Sequence, residues 1–95
     1  MKAVIIDDEP LARLVVQEYL ESYPQVHVVQ ECNDGFEGIK AIQQYQPDLI
    51  FLDIQMPKIN GFEMLDELRR IPDPYNRKEN MVIMMLTGSS SLLDS

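Results

Sequence analysis

Little in this sequence permits a disulfide, a membrane span or a nucleic-acid interface. The single cysteine, Cys32, cannot form an internal bridge, so a reducing compartment is compatible, and a small core or strand-end position is its expected use. The longest apolar stretch, Met81 to Leu86, falls far short of the roughly 20 residues that a membrane-crossing helix needs. Basic residues are few. Eight Lys and Arg stand against sixteen Asp and Glu, a formal net charge of −8, and the eight are scattered, so no basic patch for nucleic acid is expected in this segment. The N-terminus carries one lysine, a brief apolar run and then Asp7-Asp8-Glu9. That order does not fit a secretory signal, and a cytoplasmic location with no membrane association is expected. Low-complexity tracts and internal repeats are also lacking. With 45% hydrophobic residues over 95 positions, the composition is that of a globular core, in one small domain or less than one.

What is present alternates between strand and helix. Lys2–Ile6 reads as a strand. Pro10 then suits a first helical turn, where its missing donor costs nothing, and Ala12, Val15, Val16, Tyr19, Leu20 and Tyr23 recur at helical spacing until Pro24. Val26–Glu31 reads as a second strand. Asn33-Asp34-Gly35 opens a helix whose expected buried side is Phe36, Ile39, Ile42 and Tyr45, and Pro47 separates it from a strand at Asp48–Asp53. After a loop over Ile54–Asn60, a third helix is expected to bury Phe62, Leu65, Leu68 and Ile71. Pro72–Asn80 is polar and turn-rich, the pattern of a solvated insertion. Met81–Thr87 reads as a fourth strand, and Ser89–Ser95 as the start of a helix. The order βαβαβαβ specifies an α/β fold with a parallel sheet, right-handed crossovers and helices on both faces.

In such a sheet, the carboxyl ends of the strands share one edge, where ligands bind. Ala3-Val4-Ile5-Ile6 runs into Asp7-Asp8, and Leu49-Ile50-Phe51-Leu52 runs into Asp53. Neighbouring strands lie about 4.8 Å apart, so the three carboxylates repel one another unless protons or a cation neutralise them. A hard divalent ion with oxygen ligands is the natural solution. Plainer uses exist for the same residues. Asp7 or Asp8 could cap the helix that starts at Pro10, and Thr87 suits a strand as a β-branched residue. His27 is expected to be structural or exposed, and Met81, Met84 and Met85 to be packing residues.

Val4-Ile5-Ile6-Asp7-Asp8-Glu9-Pro10, Asp48-Leu49-Ile50-Phe51-Leu52-Asp53-Ile54-Gln55-Met56-Pro57, Gly61 and Met84-Met85-Leu86-Thr87-Gly88 together resemble the receiver domain of two-component response regulators, over essentially the whole chain (1–95). The opening Asp7-Asp8-Glu9-Pro10-Leu11-Ala12-Arg13 is especially similar to receivers attached to LytTR-type DNA-binding domains. The resemblance implies a flavodoxin-like, CheY-like three-layer sandwich. It implies that Asp53 is the phosphoacceptor, attacking a phosphohistidine on a sensor histidine kinase. Mg²⁺ would be held by Asp8 and Asp53, by Asp7 largely through water, and by the backbone carbonyl of Gln55. Phosphoryl oxygens would be bound by Thr87 and by backbone at Gly88 and Ile54. Pro57 would shape the loop after Asp53, Gly61 would supply conformational freedom where that loop meets the helix, and the Gln55 and Ser89 side chains would tune dephosphorylation. The module would not be an enzyme in the turnover sense.

The chain departs from the family pattern at its C-terminal end. A fifth strand with a lysine before a proline and an aromatic switch residue, followed by a fifth helix, lies outside these 95 residues. The expected strand order is therefore 2-1-3-4, a C-terminally incomplete receiver in which the 81–87 edge invites self-association. Two further readings stand beside the first. One is a truncated or engineered receiver scaffold, an assembly module without a working switch. The other, a distant third, is a Mg²⁺-dependent phosphatase, which would place an acid where Gln55 stands.

Overall fold

In the computed structural model, residues 1–71 and 81–86 are described. The elements are β1 (Lys2–Ile6), α1 (Pro10–Leu20), β2 (His27–Cys32), α2 (Gly35–Tyr45), β3 (Leu49–Asp53), α3 (Gly61–Arg70) and β4 (Val82–Leu86). The strands form one parallel sheet in the order β2-β1-β3-β4, the expected order, with strand ends within one residue of expectation. Thr87, Gly88 and Ser89, the connection over 72–80 and the helical start at 89–95 lie outside the described residues.

Four consecutive apolar residues in β1 and in β3 follow from burial on both faces of the sheet. Ala3, Val4, Ile5 and Ile6 are wholly buried, and so are Ile50 and Leu52. Because side chains alternate along a strand, Val4, Ile6, Ile50 and Leu52 pack with Ile42 and Met64 of α2 and α3, while Ala3, Ile5 and Phe51 pack with Leu20 of α1. Each such large aliphatic side chain contributes about 1.5–3 kcal/mol by leaving water. Two packed faces hold the carboxyl ends of β1 and β3 side by side.

The helix caps follow the sequence closely. Asp34 caps α2 by accepting from the Glu37 amide, and Asn60 and Glu63 form a reciprocal capping box on α3. Pro10 stands in the first turn of α1, but neither Asp7 nor Asp8 is the N-cap. That position is Glu9, and its side chain makes no cap bond.

The helix faces differ from expectation. Phe36 and Phe62 are 52% and 61% exposed, whereas Gly35, Gly38 and Ala41 of α2 and Met64 of α3 are buried. The reason is close approach: a Cβ on Gly38 would stand 2.7 Å from Ile6 Cδ1, and one on Gly35 2.6 Å from Ile59 Cγ2. α2 therefore turns Gly38 to the sheet and Gly35 to Ile59, and leaves the Phe36 ring outside. On α1, Val15 and Tyr19 remain 63% and 59% exposed. They line a groove of about 250 Å³ with Val16, Phe51, Met84 and Leu86. Among the described residues, no helix is long and apolar enough to cross a membrane.

Candidate functional site

The site is built where β1 and β3 end. The Asp7 amide donates to the Cys32 carbonyl at 3.0 Å, which carries the β1–β2 pairing one residue past β1. This also places Cys32 at the buried end of β2, as its small-residue reading expected. The Asp7 carboxylate accepts from the Glu9 amide at 2.9 Å, and this bond takes the place of a helix cap. Asp53 is the last residue of β3, and its Oδ1 accepts from the Gln55 amide at 3.1 Å.

The three carboxylates meet as expected. Asp7, Asp8 and Asp53 each offer an oxygen, and the three oxygens lie within 4.8 Å of one another. Asp7 and Asp53 are 5% exposed, and Asp8 is half-buried. Burial is the main force pushing the Asp53 carboxyl up, to about 6; the Gln55 amide opposes it, and the charges of Asp7 and Asp8 add to it. Burial also raises Asp7, against the Glu9 amide, with Asp8 adding repulsion. The mutual repulsion of crowded, desolvated carboxylates is relieved by a proton or by a cation. Three hard anionic oxygens fit a hard divalent ion and leave room for its waters.

The loop after Asp53 is pinned rather than free. Met56 and Ile59 are buried, and the Gly61 amide donates to the Ile54 carbonyl at 3.0 Å. Between the anchors, the Ile59 amide bonds the Pro57 carbonyl at 2.8 Å and Lys58 takes φ 69°, a tight three-residue turn. Gly61 is required for space, not for conformational freedom, since none of the described glycines has positive φ. A Cβ on it would lie 2.7 Å from the carbonyl oxygen of Asp53 itself. The Gln55 side chain faces solvent, and its amide, not its side chain, contacts Asp53.

The residue that sequence reasoning passed over is Arg13. It lies one and two turns ahead of Val16 and Leu20 on the sheet-facing side of α1, and a charge on that side was the available signal. Its Nη1 donates to the Asp7 carbonyl at 2.6 Å and to Asn33 Oδ1 at 2.9 Å, and its Nε pairs with Glu31 at 3.1 Å.

This geometry can be set beside known proteins. The family described as the response regulator receiver domain matches residues 3–94. The chain belongs to that family. The receiver is 44% identical over 75 residues to the transcriptional regulatory protein BtsR of Escherichia coli K12, covering 79% of this chain and 31% of that protein. It is 46% identical over 75 residues to an uncharacterised response regulatory protein of Yersinia pestis, covering 79% of this chain and 32% of that one. The receiver thus spans about a third of the length of these relatives. Among solved structures it is similar to the response regulator domain of Thermotoga maritima CheB, with a TM-score of 0.75 and 28% identity, covering 92% of this chain and 60% of that one. It shares its fold with the receiver domain of the histidine kinase CKI1 of Arabidopsis thaliana complexed with Mg²⁺ and BeF₃⁻. That match has a TM-score of 0.73 and 21% identity, and covers 98% of this chain and 72% of that one.

Proposed function

We propose that this receiver is the phosphoacceptor module of a two-component relay, taking a phosphoryl group from a sensor histidine kinase onto Asp53. The observation that carries the reading is the convergence of Asp7, Asp8 and Asp53 within 4.8 Å at the carboxyl edge of the two most buried strands. One Asp53 oxygen is held by the Gln55 amide, which leaves Oδ2 to attack phosphorus. The new O–P bond forms in line as the N–P bond to the kinase imidazole breaks, and the product is an aspartyl phosphate. Mg²⁺ held by Asp8, Asp53, the Gln55 carbonyl and, through water, Asp7 would draw off the negative charge that otherwise keeps a carboxylate from a phosphate. The backbone at Ile54 and Gly88 and the Thr87 hydroxyl would receive the phosphoryl oxygens.

On this reading the module is a stoichiometric acceptor, not a turnover enzyme, and it works in the cytoplasm. Its apolar β4, with Val82 52% and Met84 46% exposed, is the surface through which copies would self-associate. Light scattering over a dilution series reads that association. The test of the central reading is intact mass after incubation with acetyl phosphate and Mg²⁺. A gain of about 80 Da, the mass of one phosphoryl group, that is lost in Asp53→Asn supports it. Labelling unchanged in Asp53→Asn, or none in the parent with Mg²⁺ bound, overturns it.

A further inference from the structure

Arg13 reaches from α1 to the acidic edge and is held there by three segments at once. Its acceptors are the Asp7 carbonyl just past β1, Glu31 in β2 and Asn33 in the loop before α2. Glu31 is itself steadied by Gln17 Nε2, 2.7 Å from its second carboxylate oxygen. The Arg13 side chain is only 14% exposed. A planar fork with donors on both edges suits such a junction, and a lysine ammonium could not fill all three positions in the same way.

The carbonyl that Arg13 grips belongs to the peptide joining Asp7 to Asp8. Asp7 is already fixed at its amide by the Cys32 carbonyl and at its carboxylate by the Glu9 amide. Because a peptide unit is planar, holding its oxygen fixes where the nitrogen and Cα of Asp8 stand, the point from which its side chain sets out. Among the described residues, no hydrogen bond holds the Asp8 carboxylate itself. Its place beside Asp53 is therefore inherited from the peptide before it.

We propose that Arg13 is a positioning residue for the divalent-cation site, acting through the Asp7–Asp8 peptide to keep the Asp8 carboxylate where it shares a cation with Asp53. The proposal rests on the cation reading given above. Coulomb's law alone has the opposite sign. A guanidinium beside the acidic edge repels an incoming cation, so its removal would tighten binding if charge were all that mattered. Removal of an outer partner that orients a ligand instead weakens metal affinity by roughly 10–100-fold.

The experiment is Mn²⁺ binding followed by electron paramagnetic resonance, with Mg²⁺ as competitor, at one pH and ionic strength. The proteins are the parent, Asp8→Asn, Arg13→Ala, Arg13→Met and Arg13→Lys, each checked for folding by circular dichroism. Arg13→Met keeps the packing of the stem without the charge, so the question can still be put if the alanine variant fails to fold. Arg13→Ala and Arg13→Met should each weaken Mn²⁺ binding about tenfold. Arg13→Lys, which can still donate to the Asp7 carbonyl, should recover most of that loss. Unchanged or tighter binding in a folded Arg13→Ala or Arg13→Met overturns the proposal alone. A parent that binds no Mn²⁺, or an Asp8→Asn that binds as well as the parent, overturns the cation reading and the proposal with it.

Discussion

The two central strands and the side of the molecule around β4 are made of similar residues and treated differently by the fold. β1 and β3 are covered on both faces, and their apolar side chains are almost wholly buried. β4 has a strand neighbour on one side only among the described residues, and Val82, Met84 and the facing Val15 and Tyr19 of α1 stay about half exposed or more. A second apolar groove, between α3 and β4, is lined by Phe62, Leu65, Met81 and Ile83. The acidic residues end the buried strands and not the exposed one. A cluster of three carboxylates is costly to hold together, and only the part of the molecule with the most packing behind it can fix their positions.

That contrast can be broken most forcefully by mutation in the two regions. Leu52→Ala, at a wholly buried position one residue before Asp53, should cost about 2–5 kcal/mol in urea unfolding. Met84→Ala, at 46% exposure, should cost less than about 1 kcal/mol, since most of its surface already meets water. Equal losses would mean that β4 is packed as tightly as the centre.

Next in size is the cost of the acidic cluster itself. Asp53 has a folded value of about 6 against an ordinary 3.8, so without divalent cation the folded protein binds this proton more tightly than the unfolded chain. The associated stability is fully present below about pH 4 and is lost as pH rises through 6, amounting to about 3 kcal/mol between the two limits. In EDTA, Asp53→Asn should therefore be more stable than the parent at pH 7.5 by that order, with the difference shrinking towards pH 4. Mg²⁺ should stabilise the parent at pH 7.5 and have little effect on Asp53→Asn. Chemical denaturation across pH, with and without Mg²⁺, measures both. A parent and variant of equal stability at pH 7.5 would show that the carboxylates are not in conflict.

The smallest effect sharpens the boundary between site and scaffold. Gly61→Ala places a methyl against the Asp53 carbonyl, backbone that can yield only by moving the end of β3. A cost of about 1–3 kcal/mol is expected, together with weaker Mg²⁺ binding. Stability loss with unaltered Mg²⁺ affinity would place Gly61 in the scaffold only.

The strands and the acidic cluster were legible in the sequence because both depend on local pattern. Four apolar residues followed by aspartate mark a strand and its carboxyl end, and the parallel topology then brings the ends together. The helix faces were less legible. Phe36 and Phe62 look like core residues by hydrophobicity, but α2 packs through Gly35, Gly38 and Ala41, and a glycine adds nothing to an apolar periodicity. Gly61 was read as a flexible joint, yet its need is for space against a backbone oxygen that only the folded chain brings near. Arg13 was passed over for a similar reason, since its acceptors come from three separate segments and one of them is a main-chain carbonyl.

The most direct measurement is the location of the phosphoryl mark. After acetyl phosphate and Mg²⁺ treatment, borohydride reduces an aspartyl phosphate to homoserine, and tryptic peptides separate Asp53, in the segment 41–58, from Asp7 and Asp8, in 3–13. Homoserine is expected at position 53, with unaltered aspartate at positions 7 and 8. Homoserine at 7 or 8, or at none of the three, would contradict it.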